Sequence, residues 1–288
     1  MGLHDCHIHI ALDGIDWRAA LDRHRAAPDE AAIRTELARY AEVGVTYLRD
    51  GGDRFGACEM ARRIAGEYDI EYASPAFPIH QKGNYGSFIG RSFETAGEYR
   101  ALVDEVVERG GDFVKVMVSG IMDFNEYGAL TGHALPREMM EGMVAYAHEK
   151  GLAVMAHVNG AQAVLDAVEA GVDSVEHGYY TDERAREALA ASNAIWVPTF
   201  APICNLIGTG SFPDEVLERI AAGQRAAVAE VAANGGLIAS GSDAGAGEVR
   251  HAEAAIRERE LLREALGPDC DTILTRGFET LRSRFTRR

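Results

Sequence analysis

The chain lacks the sequence features that would place it in a membrane, in an oxidising compartment or on a nucleic acid. None of its apolar runs approaches the roughly 18 residues of a membrane-spanning helix, and its N-terminus lacks the charged and then apolar pattern of a signal peptide. Its four cysteines form no CxxC pair, which favours reduced packing residues over a disulfide framework. Basic residues number 29 against 45 acidic ones, a net charge of −16, which disfavours nucleic acid and anionic membranes as partners. We therefore expect a soluble cytoplasmic protein with a small molecule as its partner, and a homo-oligomer remains open.

Helical stretches that end in glycine alternate with short apolar runs along the chain. In AEVGVTYLRD, HEKGLAVMAHVNG and VEAGVDSVEHG, a glycine suited to a helix end precedes a run rich in Val, Ile or Leu. Eight such runs are predicted strands, at residues 3–9, 45–50, 70–76, 112–118, 152–157, 172–177, 194–199 and 236–242. Helical patterns such as Pro136–Lys150 and Asp214–Asn234 separate them. The α/β alternation predicts one (β/α)8 TIM-type barrel domain over residues 1–288.

Two features of the pattern bear on that prediction. No GxGxxG motif follows the first strand, which argues against the dinucleotide-binding version of an open, doubly wound sheet. The longest irregular segment, IHQKGNYGSFIGRSF at residues 79–93, follows the third strand. Its glycines and aromatic residues suit a substrate lid and an ordinary surface loop equally well.

Residues that can bind metals stand near the carboxyl ends of five predicted strands, where barrel enzymes have their active sites. They are His7 and His9 on the first strand, Lys115 on the fourth, His157 on the fifth, His177 on the sixth and Asp243 on the eighth. Strand alternation puts the two histidines of HIH on one face, and it puts Lys115 on the face of Phe113, where an unpaired ammonium would be costly. A single histidine at a strand end is usually a hydrogen-bonded structural residue, and Asp243 alone could be a turn residue or a helix cap. Together the six predict a site for Zn²⁺ or a similar divalent ion.

This ordered set, HIH, Lys115, AHVNG, EHG and GSDAG, resembles the amidohydrolase superfamily, specifically its binuclear-metal branch. RDGG and DFVKVMVSG add a resemblance to the imidazolonepropionase-like and Xaa-Pro dipeptidase relatives. The resemblance implies two divalent metal ions, with zinc as the expected metal. It assigns His7, His9 and Asp243 to a buried ion, His157 and His177 to a more exposed ion, and Lys115, carboxylated by CO2, to a bridge between them. Most of these relatives also have a small β-sandwich domain, which we expect to be absent here.

The activity implied by the resemblance is metal-dependent hydrolysis of a C–N bond in a small amide, cyclic amide or dipeptide-like substrate. Bound metal lowers the pKa of water toward about 7, which supplies hydroxide, and Asp243 would act as general acid and base. Lactonase or esterase chemistry on the same site is the nearest alternative. A deaminase is disfavoured because His157 is followed by Val-Asn-Gly, without the glutamate usual in those relatives. A non-enzymatic barrel would be expected to have lost ligands, and none is missing.

Six loop residues are candidates for substrate contact because each follows a strand at the end where the ligands lie. They are His80, Tyr85, Tyr127, His133, Tyr179 and His251. Arg49 and Asp50 end the second strand and have three interpretations: a structural ion pair, support for the metal ligands, or a clamp in which Arg49 binds a substrate carboxylate.

Overall fold

All ladders between the strands are parallel in the computed structural model, which describes residues 2–286. The strands are β1 (Leu3–Ile8), β2 (Val45–Asp50), β3 (Glu71–Ala73), β4 (Pro78–Gln81), β5 (Arg91–Phe93), β6 (Phe113–Met117), β7 (Ala153–Val158), β8 (Ser174–His177), β9 (Ile195–Val197) and β10 (Leu237–Ile238). They pair in the orders β1-β2-β3 and β10-β9-β8-β7-β6-β4-β5. Because β3 pairs with β2 and β4 with β6, the two short strands are consecutive parts of the third barrel strand.

Backbone hydrogen bonds between β1 and the segment after β10 close the sheet into a barrel. The amide of Cys6 donates to the carbonyl of Ser240 at 2.9 Å, and the amide of Asp243 donates to the carbonyl of His7 at 2.7 Å. Eight strand positions thus form a closed parallel barrel, and the predicted (β/α)8 fold is confirmed. No helix among residues 2–286 has the length and hydropathy needed to cross a membrane.

Helices separate the strands and cover the barrel from outside. They are α1 (Trp17–His24), α2 (Glu30–Glu42), α3 (Ala57–Ile64), α4 (Ala96–Glu108), α5 (Arg137–Glu149), α6 (Ala161–Glu169), α7 (Glu183–Ala191), α8 (Ala201–Cys204), α9 (Asp214–Ala233), α10 (Glu253–Leu266) and α11 (Cys270–Phe285), with 3-10 turns at Ala65–Tyr68 and Gly267–Asp269. The predicted bounds of α5 and α9 are correct within a residue. Local sequence fixes such starts: α4 begins with a capping box in which Thr95 and Glu98 cap each other's backbone amides.

The amino-terminal end of the barrel is filled mainly by apolar side chains, whereas the predicted ligands lie at the carboxyl-terminal end. Inward-facing residues such as Phe113 and Met155 pack with Leu281 and Phe285 of α11. The Phe113 and Phe285 rings meet edge to face, with centroids 5.3 Å apart. Helix α11 can lie close to β10 because Gly277 has no side chain. A Cβ at that position would lie 1.9 Å from the carbonyl oxygen of Ile238.

Residues 79–93 are more regular than the sequence indicated. The segment begins within β4 and ends with β5, which pairs in parallel with β4, so only residues 82–90 are irregular. The β4–β5 pairing leaves these residues as a short excursion that carries Tyr85 and Phe88 to the carboxyl end of the barrel. In contrast, the eighth strand is shorter than predicted, with β10 covering only two residues of 236–242.

Candidate metal centre

All six predicted ligand residues lie at the carboxyl end of the barrel. The ligand atoms of His7, His9 and Asp243 all lie within 4.8 Å of one another, a spacing that can hold a metal ion. Asp243 Oδ1 is 3.5 Å from His7 Nε2 and 3.4 Å from His9 Nε2. The ring of His177 is 4.9 Å from that of His7 and 4.5 Å from that of His157, centroid to centroid. Lys115 lines the same cavity as His9, His157, His177 and Asp243.

Two of the ligand residues have left-handed backbone conformations that redirect their side chains. His177 has a φ of 68° and Asp243 a φ of 58°. Such angles cost non-glycine residues roughly 1–3 kcal/mol and cluster at functional sites. At the end of β8, the left-handed turn breaks the alternation of the strand. As a result, Glu176 and His177 both face the barrel interior although they are adjacent in sequence.

Glu176 is a residue of this site that sequence reasoning missed. Its carboxylate accepts hydrogen bonds from Arg49 Nη2 at 2.8 Å and from Ser174 Oγ at 2.5 Å, and it lies 2.7 Å from His7 Nδ1. All four side chains are fully buried. Because a carboxylate only accepts, the proton of His7 is on Nδ1, and Nε2 keeps its lone pair for a ligand.

The other histidines are oriented in the same way. His157 Nε2 donates to the Gly120 carbonyl at 3.3 Å, which leaves Nδ1 as the free acceptor. His177 Nδ1 contacts the hydroxyl of Thr199 at 2.7 Å, which leaves Nε2 free. These contacts leave His157 Nδ1 and His177 Nε2 as the nitrogens available to a ligand.

Three buried polar atoms of the predicted ligand set have no hydrogen-bond partner among the described residues: His7 Nε2, His9 Nδ1 and Lys115 Nζ. Buried polar groups nearly always have partners, so unpaired ones within a set of metal-binding side chains fit a site for an ion. Burial holds the pKa of His157 at about 3 and the pKa of His7 and His177 well below the usual value, so these imidazoles are neutral. Burial also lowers the pKa of Lys115 to about 8. Neutral imidazoles and a carboxylate are donors that suit divalent metal ions.

Arg49 and Asp50 have separate partners and do not pair with each other. Arg49 is fully buried and donates to Glu176, to Ser174 and, at 2.7 Å, to the carbonyl of Cys6. Asp50 accepts from the Tyr72 hydroxyl at 2.6 Å and from backbone amides. Arg49 does not line the cavity, so its position agrees with support of the ligand His7 and not with a clamp on a substrate.

Two of the six candidate contact residues line the cavity above the ligands. Tyr85 lies with its ring 4.9 Å from that of His157, and Tyr179 donates its hydroxyl to the Thr199 carbonyl at 2.8 Å. The structure does not bring the other four, His80, Tyr127, His133 and His251, to the cavity.

Each of these four has a different setting. His251 is buried between the Tyr40 hydroxyl at 3.0 Å and the Leu12 carbonyl at 2.9 Å, a structural role that its position after Asp243 could not reveal. Tyr127 packs on Tyr180 and under the Arg219 guanidinium. His80 contacts the carbonyl of Gln81, and His133 is exposed.

Comparison with known proteins agrees with this geometry. The amidohydrolase family model matches residues 1–271. Ochratoxinase of Aspergillus niger is 28% identical over 231 residues, which cover 69% of this chain and 47% of that protein. An uncharacterized protein of Mycobacterium bovis is 26% identical over 284 residues, covering 93% of this chain and 71% of that protein. The chain thus spans about half the length of the ochratoxinase that it matches.

Solved structures share the fold. That of A. niger ochratoxinase superposes with a TM-score of 0.79 at 20% identity, covering 99% of this chain and 71% of that one. A Xaa-Pro dipeptidase with bound methionine gives a TM-score of 0.72 at 20% identity, covering 98% of this chain and 74% of that one. With the family match over nearly its whole length, this chain belongs to the amidohydrolase family.

Proposed function

We propose that this enzyme hydrolyses a C–N bond in a small amide, cyclic amide or dipeptide-like substrate at a centre of two divalent metal ions, with zinc as the expected metal. The observation that carries the proposal is the buried, unpaired His7 Nε2, which lies 3.5 Å from Asp243 Oδ1 within a His7, His9 and Asp243 cluster at the carboxyl end of the barrel. His7, His9 and Asp243 would hold one ion and His157 and His177 the other.

Lys115 would hold both ions after carboxylation by CO2. A protonated Lys115 side chain has no lone pair to bind a metal, and its positive charge would repel the divalent ions. The lowered pKa of Lys115 provides the neutral amine that reacts with CO2. The resulting carbamate carries a negative charge and two oxygen donors, and it would give the unpaired Nζ a role.

Divalent ions at such a site polarise a carbonyl group and lower the pKa of water. The chain's own residues supply the remaining functions. Asp243 lies at the floor of the cavity with a side chain that is 14% exposed, and it can accept a proton from water and pass it to the leaving nitrogen. Glu176 holds the tautomer of His7, and the apolar walls of the cavity limit the access of bulk water.

The first experiment is elemental analysis of protein purified without chelators. We expect about two divalent ions per chain in the wild type, and a lower content in Lys115→Ala. Lys82→Ala is the control, because Lys82 is an exposed lysine paired with Glu94. Metal-free protein should regain metal faster when bicarbonate is supplied, and Lys115→Ala should not respond. A wild type that stays without metal after growth in added zinc or manganese would contradict the proposal.

Activity is then measured on a matched amide and ester or lactone. Hydrolysis of the amide that chelation abolishes and zinc restores would support the proposal. Turnover of the ester alone would replace it by the esterase alternative. Full activity of Asp243→Asn on a genuine substrate would refute the assigned proton transfer.

A further inference from the structure

The walls of the cavity above the ligands are almost entirely apolar. The cavity has a volume of about 520 Å³, within the range of pockets that enclose drug-sized ligands. Two pairs of aromatic rings line it: Trp17 with Phe88, centroids 5.5 Å apart, and Phe124 with Phe212, centroids 5.1 Å apart. Aliphatic side chains fill most of the wall between them. Such surfaces favour large apolar groups.

Charged groups are confined to the floor. Among residues 2–286, Lys115 is the only lysine or arginine that lines the cavity, and it is 1% exposed beside the predicted metal ligands. Asp243 is the only carboxylate that these residues contribute to the lining. Both are needed for the metal centre, so the walls offer no cation for a substrate carboxylate and no anion for a substrate ammonium.

The neutral polar groups of the lining are largely paired with one another. The Asn159 side chain donates to the Gly120 carbonyl and accepts from the Tyr179 amide, and the Tyr179 hydroxyl donates to Thr199. A carboxylate enclosed by these walls would lose its hydration without gaining an ionic partner from them, which weakens its binding.

From these walls we infer that the substrate carries uncharged, apolar groups on both sides of the scissile bond, at least one of them aromatic. A free dipeptide, with its ammonium and carboxylate, does not match the cavity. This inference rests on the proposed hydrolase function, because it names the substrate class of the same centre.

The test compares three anilides of phenylacetic acid: the unsubstituted anilide, the para-acetyl anilide and the para-carboxylate anilide. The last two have similar size and differ in charge. We expect a KM at least about tenfold lower for the neutral para-acetyl compound than for the carboxylate, the ratio expected when an unpaired charge must be desolvated. Equal or tighter binding of the carboxylate would overturn the inference.

A charge introduced at the rim provides a second readout. Trp17 is 42% exposed, so Trp17→Arg can place a guanidinium beside the cavity without disturbing the core. We expect this variant to lower the ratio of the KM of the para-carboxylate anilide to that of the para-acetyl anilide. The KM of the neutral compound should rise, and that of the carboxylate should fall. Ile256→Arg is the matched control. Ile256 lies on α10 and is 43% exposed, so this substitution adds the same charge outside the cavity. A Trp17→Arg ratio equal to that of Ile256→Arg would count against the inference.

Binding measurements separate this inference from the proposed function. The dissociation constants of the same anilides are measured by calorimetry, with and without metal. If no compound is hydrolysed but the neutral anilides still bind at least about tenfold tighter, the hydrolase proposal fails and the inference about the cavity stands. If all are hydrolysed and the carboxylate binds as well as the neutral compound, the function stands and the inference fails.

Discussion

Replacing Glu176 by alanine should destabilise the barrel strongly even when no metal is present. The carboxylate of Glu176 accepts from Arg49 at 2.8 and 2.9 Å, and both side chains are fully buried. Without it, the Arg49 guanidinium keeps only Ser174 Oγ and the Cys6 carbonyl as partners. Breaking one side of a buried ion pair costs about 3–5 kcal/mol, because the remaining charge is left uncompensated. We expect a loss of that size in the free energy of unfolding.

The assay is urea unfolding of chelator-treated protein, followed by the fluorescence of Trp196, which is fully buried in β9. Removing the metal first ensures that a loss of bound metal cannot account for the result. The double variant Arg49→Met with Glu176→Leu should recover much of the lost stability, since it leaves no buried charge behind. Glu67→Ala is the control, because its pair with Arg34 is exposed and screened by solvent.

Two results would refute this reasoning. One is a Glu176→Ala protein as stable as the wild type. The other is a double variant whose loss equals the sum of the losses of Arg49→Met and Glu176→Leu measured singly, which would show that Arg49 and Glu176 do not interact. The metal readout is separate: Glu176→Gln keeps the size of the side chain but weakens the hold on His7, and it should lower metal affinity by about 10–100-fold.

Three further predictions concern individual residues. A Cβ at Gly51 would lie 2.3 Å from Cε1 of His9, so Gly51→Ala should displace that imidazole and lower the metal content, whereas Gly142→Ala, with open space around it, should not. The pKa of His157 is lowered from 6.5 to about 3, so its contribution to stability is complete above pH 6.5 and is lost as the pH falls toward 3. At pH 4.5 the loss is on the order of 3 kcal/mol, and urea titrations of metal-free His157→Asn should show a shallower pH dependence; parallel curves would contradict this. His251→Leu should lower the free energy of unfolding by about 1–3 kcal/mol at unchanged KM, and a raised KM at full stability would instead restore the predicted substrate contact.

The ligand set could be predicted from sequence because the fold makes distant positions equivalent. Parallel barrel strands all end at one rim, so His7, Lys115, His157 and His177 needed only the assignment of their strands to be placed together. The strand assignments rested on continuous apolar runs, which are typical of strands buried on both faces. The structure brings the predicted ligands to one rim, while their roles as ligands stay a prediction until metal is measured.

Glu176 could not be found in the same way. Side chains alternate between the two faces of a strand, so a prediction that points His177 into the barrel must point Glu176 out of it. The left-handed φ of His177 removes that constraint, and nothing in the letters EHG reports it. The partner of Glu176, Arg49, is 127 residues away in the chain. Its pairing depends on barrel closure, which brings the interiors of β2 and β8 together.

The same closure explains why an arginine is tolerated in the barrel core directly beneath the candidate centre. Glu176 neutralises Arg49 and at the same time orients His7, so one carboxylate meets a structural need and a chemical one. Within residues 2–286, Lys115 has no such carboxylate at hydrogen-bonding distance, and its Nζ is unpaired there although the side chain is almost as buried as that of Arg49. The two buried basic side chains therefore differ. Arg49 has a permanent counter-ion in Glu176, whereas Lys115 has none among the described residues, and burial lowers its pKa so that it loses its proton more easily. That difference is what a structural arginine and a lysine reserved for carboxylation would require.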